Sequence, residues 1–223
     1  MRKSILILLC CATLAIVSKA QDVVKVSPND YKLQFENQDI RIIKINVPPG
    51  NKTPTHNHPD SVVVILSPSI VRHTEADGKI SQTPPSLKRG DIVFAPQVTH
   101  SMEQIGTTTF TAFQIELKKP LSAIVDGKKA ASLSEPFKTV LNNGRVSAFD
   151  ATIVADMTIN PSMSNPFVSV WLDNGLAELQ QPDGKKAILE IAADTTQFHK
   201  EGNWQLTNVG KTPLRLLIIE LKK

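Results

Sequence analysis

Three of the chain's five histidines lie in two short strings whose residue types and spacing suit a metal site. Residues 50–58 form a G-x5-H-x-H string that ends in His56 and His58, and residues 90–100 form a G-x5-P-x3-H string that ends in His100. Side chains in an extended strand alternate between its faces, so His56 and His58 point the same way. If a neighbouring strand brings His100 beside them, three imidazoles meet, and imidazole binds zinc, iron, copper and nickel. The spacing therefore predicts a divalent metal held by His56, His58 and His100.

The elements that must position these histidines are short strands. Alternating or β-branched segments recur along the chain and are separated by turn residues, and no long amphipathic helix stands out. An Asp-Gly pair at 77–78 marks a hairpin. The pattern predicts an all-β fold. The strongest strand segments are Tyr31–Phe35, Ile40–Val47, Ser61–Leu66, Ile70–Thr74, Ile92–Ala95 and Thr108–Leu117.

At these two strings the chain resembles the cupin family, whose members are small antiparallel β-barrels with a metal inside. Both family motifs occur in the right order, but each is incomplete. Val62 or Val63 stands where the first motif carries a glutamate ligand, and Val98 and Gln104 replace the glycine and asparagine of the second. Val62 has the same strand parity as His58, so we expect an apolar side chain to line the metal site where the family has a carboxylate. The resemblance implies a cupin-type barrel with a three-histidine site, similar to those of the thiol and diketone dioxygenases of the family.

The chain also repeats itself weakly, and a repeat changes the whole fold prediction. A Val-rich strand followed by Asp-Gly-Lys occurs in each half, and each half closes on Glu-Leu-Lys-Lys. The repeat predicts two cupin-type antiparallel β-barrels in tandem; the alternative is one sandwich with coincidental hairpins. The matching segments are 62–66 and 168–172, 77–79 and 183–185, and 116–119 and 220–223. The predicted units are a metal-site barrel at 21–120, a linker at 121–136 and a degenerate barrel at 137–223.

Aligning the two copies indicates that the second has lost its ligands. Ser162 and Ser164 fall opposite His56 and His58, and Trp204 falls opposite His100. A hydroxyl or an indole cannot replace an imidazole at a transition-metal site. We expect the second barrel to bind no metal and to pack against the first.

For four other polar residues the sequence indicates either two alternative roles or a position outside the site. Asp60 shares the parity of the motif histidines and is either a fourth, oxygen ligand or part of a solvent-facing turn. Gln104 either hydrogen-bonds a ligand or a bound water, or covers a barrel end. His73, next to Arg72, indicates a solvated face, and His199 indicates a turn; neither is expected to be a ligand.

The N-terminus has the pattern of a secretory signal peptide over residues 1–20. Arg2 and Lys3 precede an apolar run, Ile5–Val17, and small residues favour cleavage after Ala20. The run is too short to favour a transmembrane helix, and no later segment is long and apolar enough to span a bilayer. Both cysteines lie inside the leader, so a lipoprotein is an alternative. We expect a periplasmic or secreted protein with no transmembrane segment and no disulfide.

Removing this leader changes the charge. The whole chain has a formal net charge of +4, and the first twenty residues hold three basic and no acidic residues, so the remainder carries +1. With no basic run elsewhere, we expect no nucleic-acid partner.

Three neutral imidazoles without a glutamate leave a divalent ion its full charge, which favours a small anionic substrate. The first hypothesis is a dioxygenase with iron as the expected metal and zinc or manganese as alternatives. The second is a noncatalytic binding protein for a small molecule, and the third is a purely structural role. Chemistry of the oxalate decarboxylase type is disfavoured, because the bicupins that perform it have complete motifs in both halves, whereas the motifs of this chain are incomplete. A homodimer is a further expectation, since barrel edges often pair in this family.

Overall fold

A computed structural model describes residues 21–119 and 131–222, and almost every element in them is a β-strand. The one helix among these residues is Val23–Val26, which is capped by the Asp22 carboxylate accepting from the Val24 amide at 3.1 Å. The predicted all-β fold is confirmed. The predicted signal peptide and residues 121–130 of the predicted linker lie outside the described residues. No helix within those residues is long and apolar enough to cross a membrane.

The first half contains ten strands in two five-stranded sheets, ordered β1-β4-β9-β6-β7 and β2-β3-β10-β5-β8. All their pairings are antiparallel except that of β1 with β4. The strands are β1 (Gln21–Asp22), β2 (Tyr31–Glu36), β3 (Ile40–Val47), β4 (Lys52–His58), β5 (Ser61–Ser67), β6 (Val71–Glu75), β7 (Ile80–Gln82), β8 (Ile92–Ala95), β9 (Val98–Gln104) and β10 (Phe110–Leu117).

The second half contains eleven strands in sheets of five, four and two, ordered β11-β12-β21-β15-β18, β13-β20-β16-β17 and β14-β19. The strands are β11 (Lys138–Asn142), β12 (Val146–Ile153), β13 (Thr158–Ile159), β14 (Ser162–Met163), β15 (Phe167–Trp171), β16 (Gly175–Gln180), β17 (Lys186–Ile191), β18 (Thr195–His199), β19 (Gly202–Asn203), β20 (Gln205–Asn208) and β21 (Leu214–Leu221).

The two halves repeat one topology. In the first, β10 lies between β3 and β5, and in the second β21 lies between β12 and β15. The register also repeats, because Ser61 faces Glu116 as Phe167 faces Glu220. Within residues 21–119 and 131–222, no sheet mixes strands of the two halves. Two tandem units are therefore present, and the single-sandwich alternative is wrong.

The central sheets bury both of their faces. Alternate residues of β10, such as Phe113 and Ile115, join Val168, Leu217 and others in a cluster between the halves. Ala112, on the opposite face of β10, packs inside the first half. A third cluster fills the inside of the second half. Because side chains alternate along a strand, one apolar run supplies both the interior of a half and the joint between halves.

Charged groups fasten the edge of this joint. The Arg89 guanidinium donates to the Leu172 carbonyl and to Asp194 Oδ1, both at 2.6 Å. Arg215 donates to both carboxylate oxygens of Asp150 and, at 3.1 Å, to the Arg89 carbonyl. The loop before β8 is thus held by the second half.

Gly90, the first residue of the second motif, lies in this loop with φ +87°. An added Cβ would lie 2.6–2.7 Å from the guanidinium atoms of Arg215. Gly78, in the hairpin between β6 and β7, has the same φ but nothing within 4 Å of its Cβ position. The motif glycine therefore permits a close approach between the halves as well as a left-handed turn.

We expect Gly90→Ala to lower the free energy of unfolding by about 1–2 kcal/mol more than Gly78→Ala does, because only the former displaces Arg215 from its charged hydrogen bonds. The left-handed backbone costs about 1–2 kcal/mol in both variants. Urea unfolding of both variants measures the difference. Equal losses would mean that the contact with Arg215 contributes nothing.

Candidate functional site

Three neighbouring strands of one sheet bring four histidines to a single cavity in the first half. His56 and His58 lie on β4, His100 on β9 and His73 on β6. The register places His56 directly opposite His100. The cavity has a volume of about 280 Å³, and all four imidazoles line it. The structure thus brings the three predicted ligands together and adds His73.

Backbone carbonyls orient the two histidines of β4. The register of β4 shifts between Thr53 and His56, and the Pro54 carbonyl inside this irregularity lies 2.8 Å from His56 Nδ1. His58 Nδ1 lies 2.8 Å from the Pro59 carbonyl. A carbonyl can only accept, so each Nδ1 carries the proton and donates it. In the neutral ring, the lone pair of His56 and of His58 is consequently on Nε2.

His100 connects these rings to His73. Its Nε2 lies 3.2 Å from His56 Nε2, and its Nδ1 lies 3.3 Å from His73 Nδ1. The His73 and His100 rings stack with centroids 5.1 Å apart and an interplanar angle of 16°. Without an ion, one tautomer set satisfies every contact: His73 donates to His100, and His100 donates to His56.

Burial keeps the four imidazoles neutral. It is the main cause that lowers the pKa of His56 and His58, and it lowers the pKa of His73 to about 4 and that of His100 to about 3. The mutual repulsion of the four rings, once charged, acts in the same direction for His73 and His100. Neutral imidazole is the form that ligates a metal, so the rings are ready at neutral pH without losing a proton.

Two of the three expected nitrogens already have the separation of metal ligands. His56 Nε2 and His100 Nε2 are 3.2 Å apart, and two nitrogens on one ion, each bonded at about 2.1 Å, stand roughly 3.0–3.4 Å apart. The His58 ring centroid is 5.2 Å from that of His100 and 6.4 Å from that of His56. As the side chains stand, no three His, Cys, Asp or Glu groups of residues 21–119 and 131–222 converge on one ion. The donor chemistry fits a metal, and the His58 ring must move to complete the set.

Comparison with known proteins identifies the architecture. No family model matches the sequence, and no curated protein matches it either. Solved structures do match, among them AerE from Microcystis aeruginosa, with a TM-score of 0.63 and 14% identity over 86% of this chain and 92% of AerE.

Two further matches name the fold. Oxalate decarboxylase of Bacillus subtilis, in a structure concerned with its Mn(II) centres, has a TM-score of 0.59 and 11% identity over 86% of this chain and 75% of its own. A cupin 2 conserved barrel domain protein from Leptotrichia buccalis has a TM-score of 0.52 and 10% identity over 93% of this chain and 92% of its own. The chain has the cupin fold. The predicted resemblance is thereby confirmed at the level of the fold, which is what identities this low can show.

Val62 and Val63 are the two candidates for the glutamate position of the first cupin motif, and they face opposite ways. Val63 lines the cavity and faces Gln114 across β10. Val62, which the sequence placed on the histidines' face, instead packs in the cluster between the halves. The expectation was wrong because the chain leaves one sheet at Pro59 and enters the other at Ser61, which breaks the parity.

The two proposed accessory residues are used elsewhere. Asp60 accepts from the Gln97 amide at 2.9 Å and pairs with Arg145 of the second barrel at 3.5 Å, and it is not among the cavity-lining residues. Gln104 is fully buried, donates to Ser69 Oγ at 2.7 Å and accepts from the Gly106 amide at 2.8 Å. Asp60 thus lies at the joint between barrels, and the amide of Gln104 is engaged by Ser69 and Gly106.

His73 is the site residue that sequence reasoning missed. The sequence places it on a solvated face because of its neighbour Arg72, but it is half-buried and lines the cavity. The sequence feature that could have placed His73 at the site is its position two residues after Val71. Residues two apart lie on the same face of a strand, and Val71 is completely buried. On β6 the residues with that parity point inward, and Arg72 points out to Glu103.

The walls of the cavity are mostly apolar. The polar lining groups besides the imidazoles are uncharged, and the Tyr31 hydroxyl among them accepts from Thr53 Oγ1 at 3.4 Å and donates to Met102 Sδ at 3.5 Å. Burial raises the pKa of Tyr31, so its hydroxyl stays protonated. The remaining lining residues are Ile45, Val63, Ile65, Gln82, Thr83, Pro84, Leu87, Val93, Ala95, Phe110 and Gln114.

The interior of the second cupin barrel is filled. His199 lies in β18, not in the predicted turn, and its Nε2 is 2.9 Å from Ser169 Oγ. Its ring stacks on Phe167 at 4.6 Å and meets the edge of Trp204 at 4.8 Å. The space left among these rings is about 30 Å³. Ser162, which the repeat aligns with His56, pairs with Asn203 of β19.

We expect a pH-dependent stability from His199. Burial lowers its folded pKa to about 4 from 6.5, so its contribution is complete above pH 6.5 and is lost as the pH falls towards 4. The loss is about 1.4 kcal/mol per pH unit, or roughly 3 kcal/mol in all. In urea unfolding between pH 7 and 4, His199→Gln should lose correspondingly less stability than the unmodified chain. Parallel pH profiles would contradict this assignment.

Proposed function

We propose that the first cupin barrel binds a divalent metal through Nε2 of His56, His58 and His100, and that the protein is a metal-dependent enzyme, most simply a dioxygenase acting on a small anionic substrate. One observation carries this proposal. The Nδ1 atom of each ring already has an outer partner: the Pro54 carbonyl, the Pro59 carbonyl or His73 Nδ1. Metal-binding histidines are oriented in this way, with the second ring nitrogen tied to an outer group.

The ligand set determines what chemistry the ion brings. Three neutral imidazoles with Val63 at the glutamate position leave a divalent ion its whole 2+ charge, which attracts an anionic group. When bound, the ion supplies Lewis acidity or, if it is iron, chemistry with dioxygen. Iron is the metal we propose, with zinc or manganese as alternatives; the shared fold with a Mn(II) oxalate decarboxylase supports a divalent metal in such a barrel.

The chain's own groups do the rest. His56 and His58 are anchored by rigid backbone, so little freedom is lost when they bind. To ligate through Nε2, His100 would carry its proton on Nδ1 and donate it to His73 Nδ1, and His73 would then carry its own proton on Nε2. The apolar walls limit the water near the ion and so strengthen its electrostatic interactions. Tyr31, which remains protonated, can only act as a hydrogen-bond donor or acceptor.

A noncatalytic small-molecule-binding protein is the second candidate. It is favoured by a specific observation: the cavity is already formed, while the three ring nitrogens do not yet converge on one point. A preformed, mostly apolar cavity with a few polar groups is what ligand sites generally look like. We also propose that the protein is exported, with residues 1–20 as its leader.

We expect the chain without residues 1–20, purified without a histidine tag or added metal, to contain close to one metal ion, and the double variant His56→Ala/His58→Ala to contain almost none. His199→Gln, which alters the other barrel, is the control and should keep its metal. Elemental analysis gives both the amount and the identity of the bound metal.

Iron would justify oxygen-uptake screens with small acids and thiols, and zinc would shift the search to hydrolytic or isomerising reactions. An unmodified chain that holds no metal even after reconstitution would overturn the proposed site and leave the binding protein.

We expect His73→Phe to weaken metal binding by about 10–100-fold, because phenylalanine keeps the stack on His100 but offers no nitrogen to its Nδ1–H. Competition with a chelator measures the affinity, and circular dichroism checks the fold. Arg72→Gln, on the opposite face of β6, is the matched control and should bind normally. An unchanged affinity in His73→Phe would exclude this role, and a loss beyond about 1,000-fold would identify His73 as a ligand itself.

A further inference from the structure

The cavity has two chemically different sides. All four histidines come from the sheet β1-β4-β9-β6-β7, whereas Ile45, Val63, Ile65, Val93 and Phe110 come from the facing sheet β2-β3-β10-β5-β8. A ligand between these sheets therefore meets imidazoles on one side and hydrocarbon on the other. Gln114 and Tyr31 are the polar residues contributed by the second sheet, and the Tyr31 hydroxyl is already engaged by Thr53 and Met102.

We infer that this cavity takes a small apolar monoanion, which places its one anionic group at the histidines and its hydrocarbon body against the facing sheet. The inference rests on the proposed metal site and names its substrate class. The lining from the described parts of the chain consists of apolar side chains, imidazoles, amides and hydroxyls. Such a lining stabilises one negative charge at the ion and none elsewhere.

A second carboxylate would have to be buried against the hydrocarbon wall. An ionised carboxylate without a partner is very costly to bury, and the nearest compensation would be the same ion that already holds the first carboxylate. Val63 strengthens the preference for a ligand with one carboxylate over a ligand with two. A glutamate there would reduce the charge at the ion to 1+, whereas valine leaves 2+ for the ligand and adds apolar surface.

The volume sets the size of the ligand. At about 30 Å³ per water, 280 Å³ is the space of about nine waters, which corresponds to a ligand of roughly nine non-hydrogen atoms. Hexanoate and adipate are near this size and have six carbons each, but adipate carries a second carboxylate. Monomethyl adipate is one methyl group longer than adipate but carries a neutral ester at one end, so tighter binding of the ester than of adipate would be an effect of charge and not of size.

The experiment is calorimetric titration of the metal-loaded chain without residues 1–20, after its metal content has been measured. We expect hexanoate and monomethyl adipate to bind with affinities within about tenfold of each other, and adipate to bind at least about 100-fold more weakly. The metal-free protein should bind none of the three measurably. Equal binding of adipate and hexanoate, or no binding of hexanoate, would overturn the inference.

Two variants test whether charge at the wall is the cause. Gln82 lines the cavity and is exposed, so Gln82→Lys adds a cation at its rim; Ser81, exposed on the same strand, does not line it. Gln82→Lys should raise adipate affinity at least about tenfold and change hexanoate affinity little. Ser81→Lys should leave both unchanged, and equal gains in the two lysine variants would indicate a general charge effect and contradict the inference.

The measured metal content separates the two possible failures. If the protein takes up no metal, both the proposed metal site and this inference are wrong. A metal-loaded protein that does not distinguish hexanoate from adipate keeps its metal site and loses only the substrate class.

Discussion

The packing of one barrel's sheet against the other is the constraint on which the rest of the structure depends. Both faces of the central strands are buried, so the residues between the halves stabilise the chain independently of what fills each interior. An apolar cavity lowers stability because its lining lacks contacts on one side. The first barrel can keep 280 Å³ open because the joint and the packed rings around His199, where about 30 Å³ is left, offset that cost. The second half is thus a structural support for the half that carries the four histidines.

The same joint explains why motif residues have more than one role. Gly90 belongs to a motif associated with a metal, yet its immediate neighbour is the Arg215 guanidinium of the second barrel. Asp60, two residues after His58, pairs with Arg145 across the joint. The turn that follows β4, the strand of His56 and His58, is therefore held in position partly by the second barrel. A substitution in that barrel can change the site without touching it.

Sequence reasoning predicted the parts that depend on local pattern. Alternation gave the strands, the two strings gave His56, His58 and His100, and the internal repeat gave the two units. It failed where the outcome depended on which sheet a strand joins. Val62 was misplaced because parity does not continue across the turn between β4 and β5, in which Asp60 lies. His73 was missed because Arg72 outweighed the inward parity of Val71. Which rings would meet depended on the order β4-β9-β6, which no local pattern contains.

The protonation of the histidines decides how readily a metal can enter. Ligands must be free of protons, and metal binding usually has to displace them. Here burial already keeps all four rings neutral, since the pKa of His100 is about 3 and that of His73 about 4. Two protons stand in the way, one on His100 Nε2 facing His56 and one on His73 Nδ1 facing His100. Neither need leave the protein, because each neutral ring can carry its proton on its other nitrogen. The other rearrangement needed is the movement of His58, so metal entry at neutral pH requires tautomer shifts and one side-chain movement and no net loss of protons.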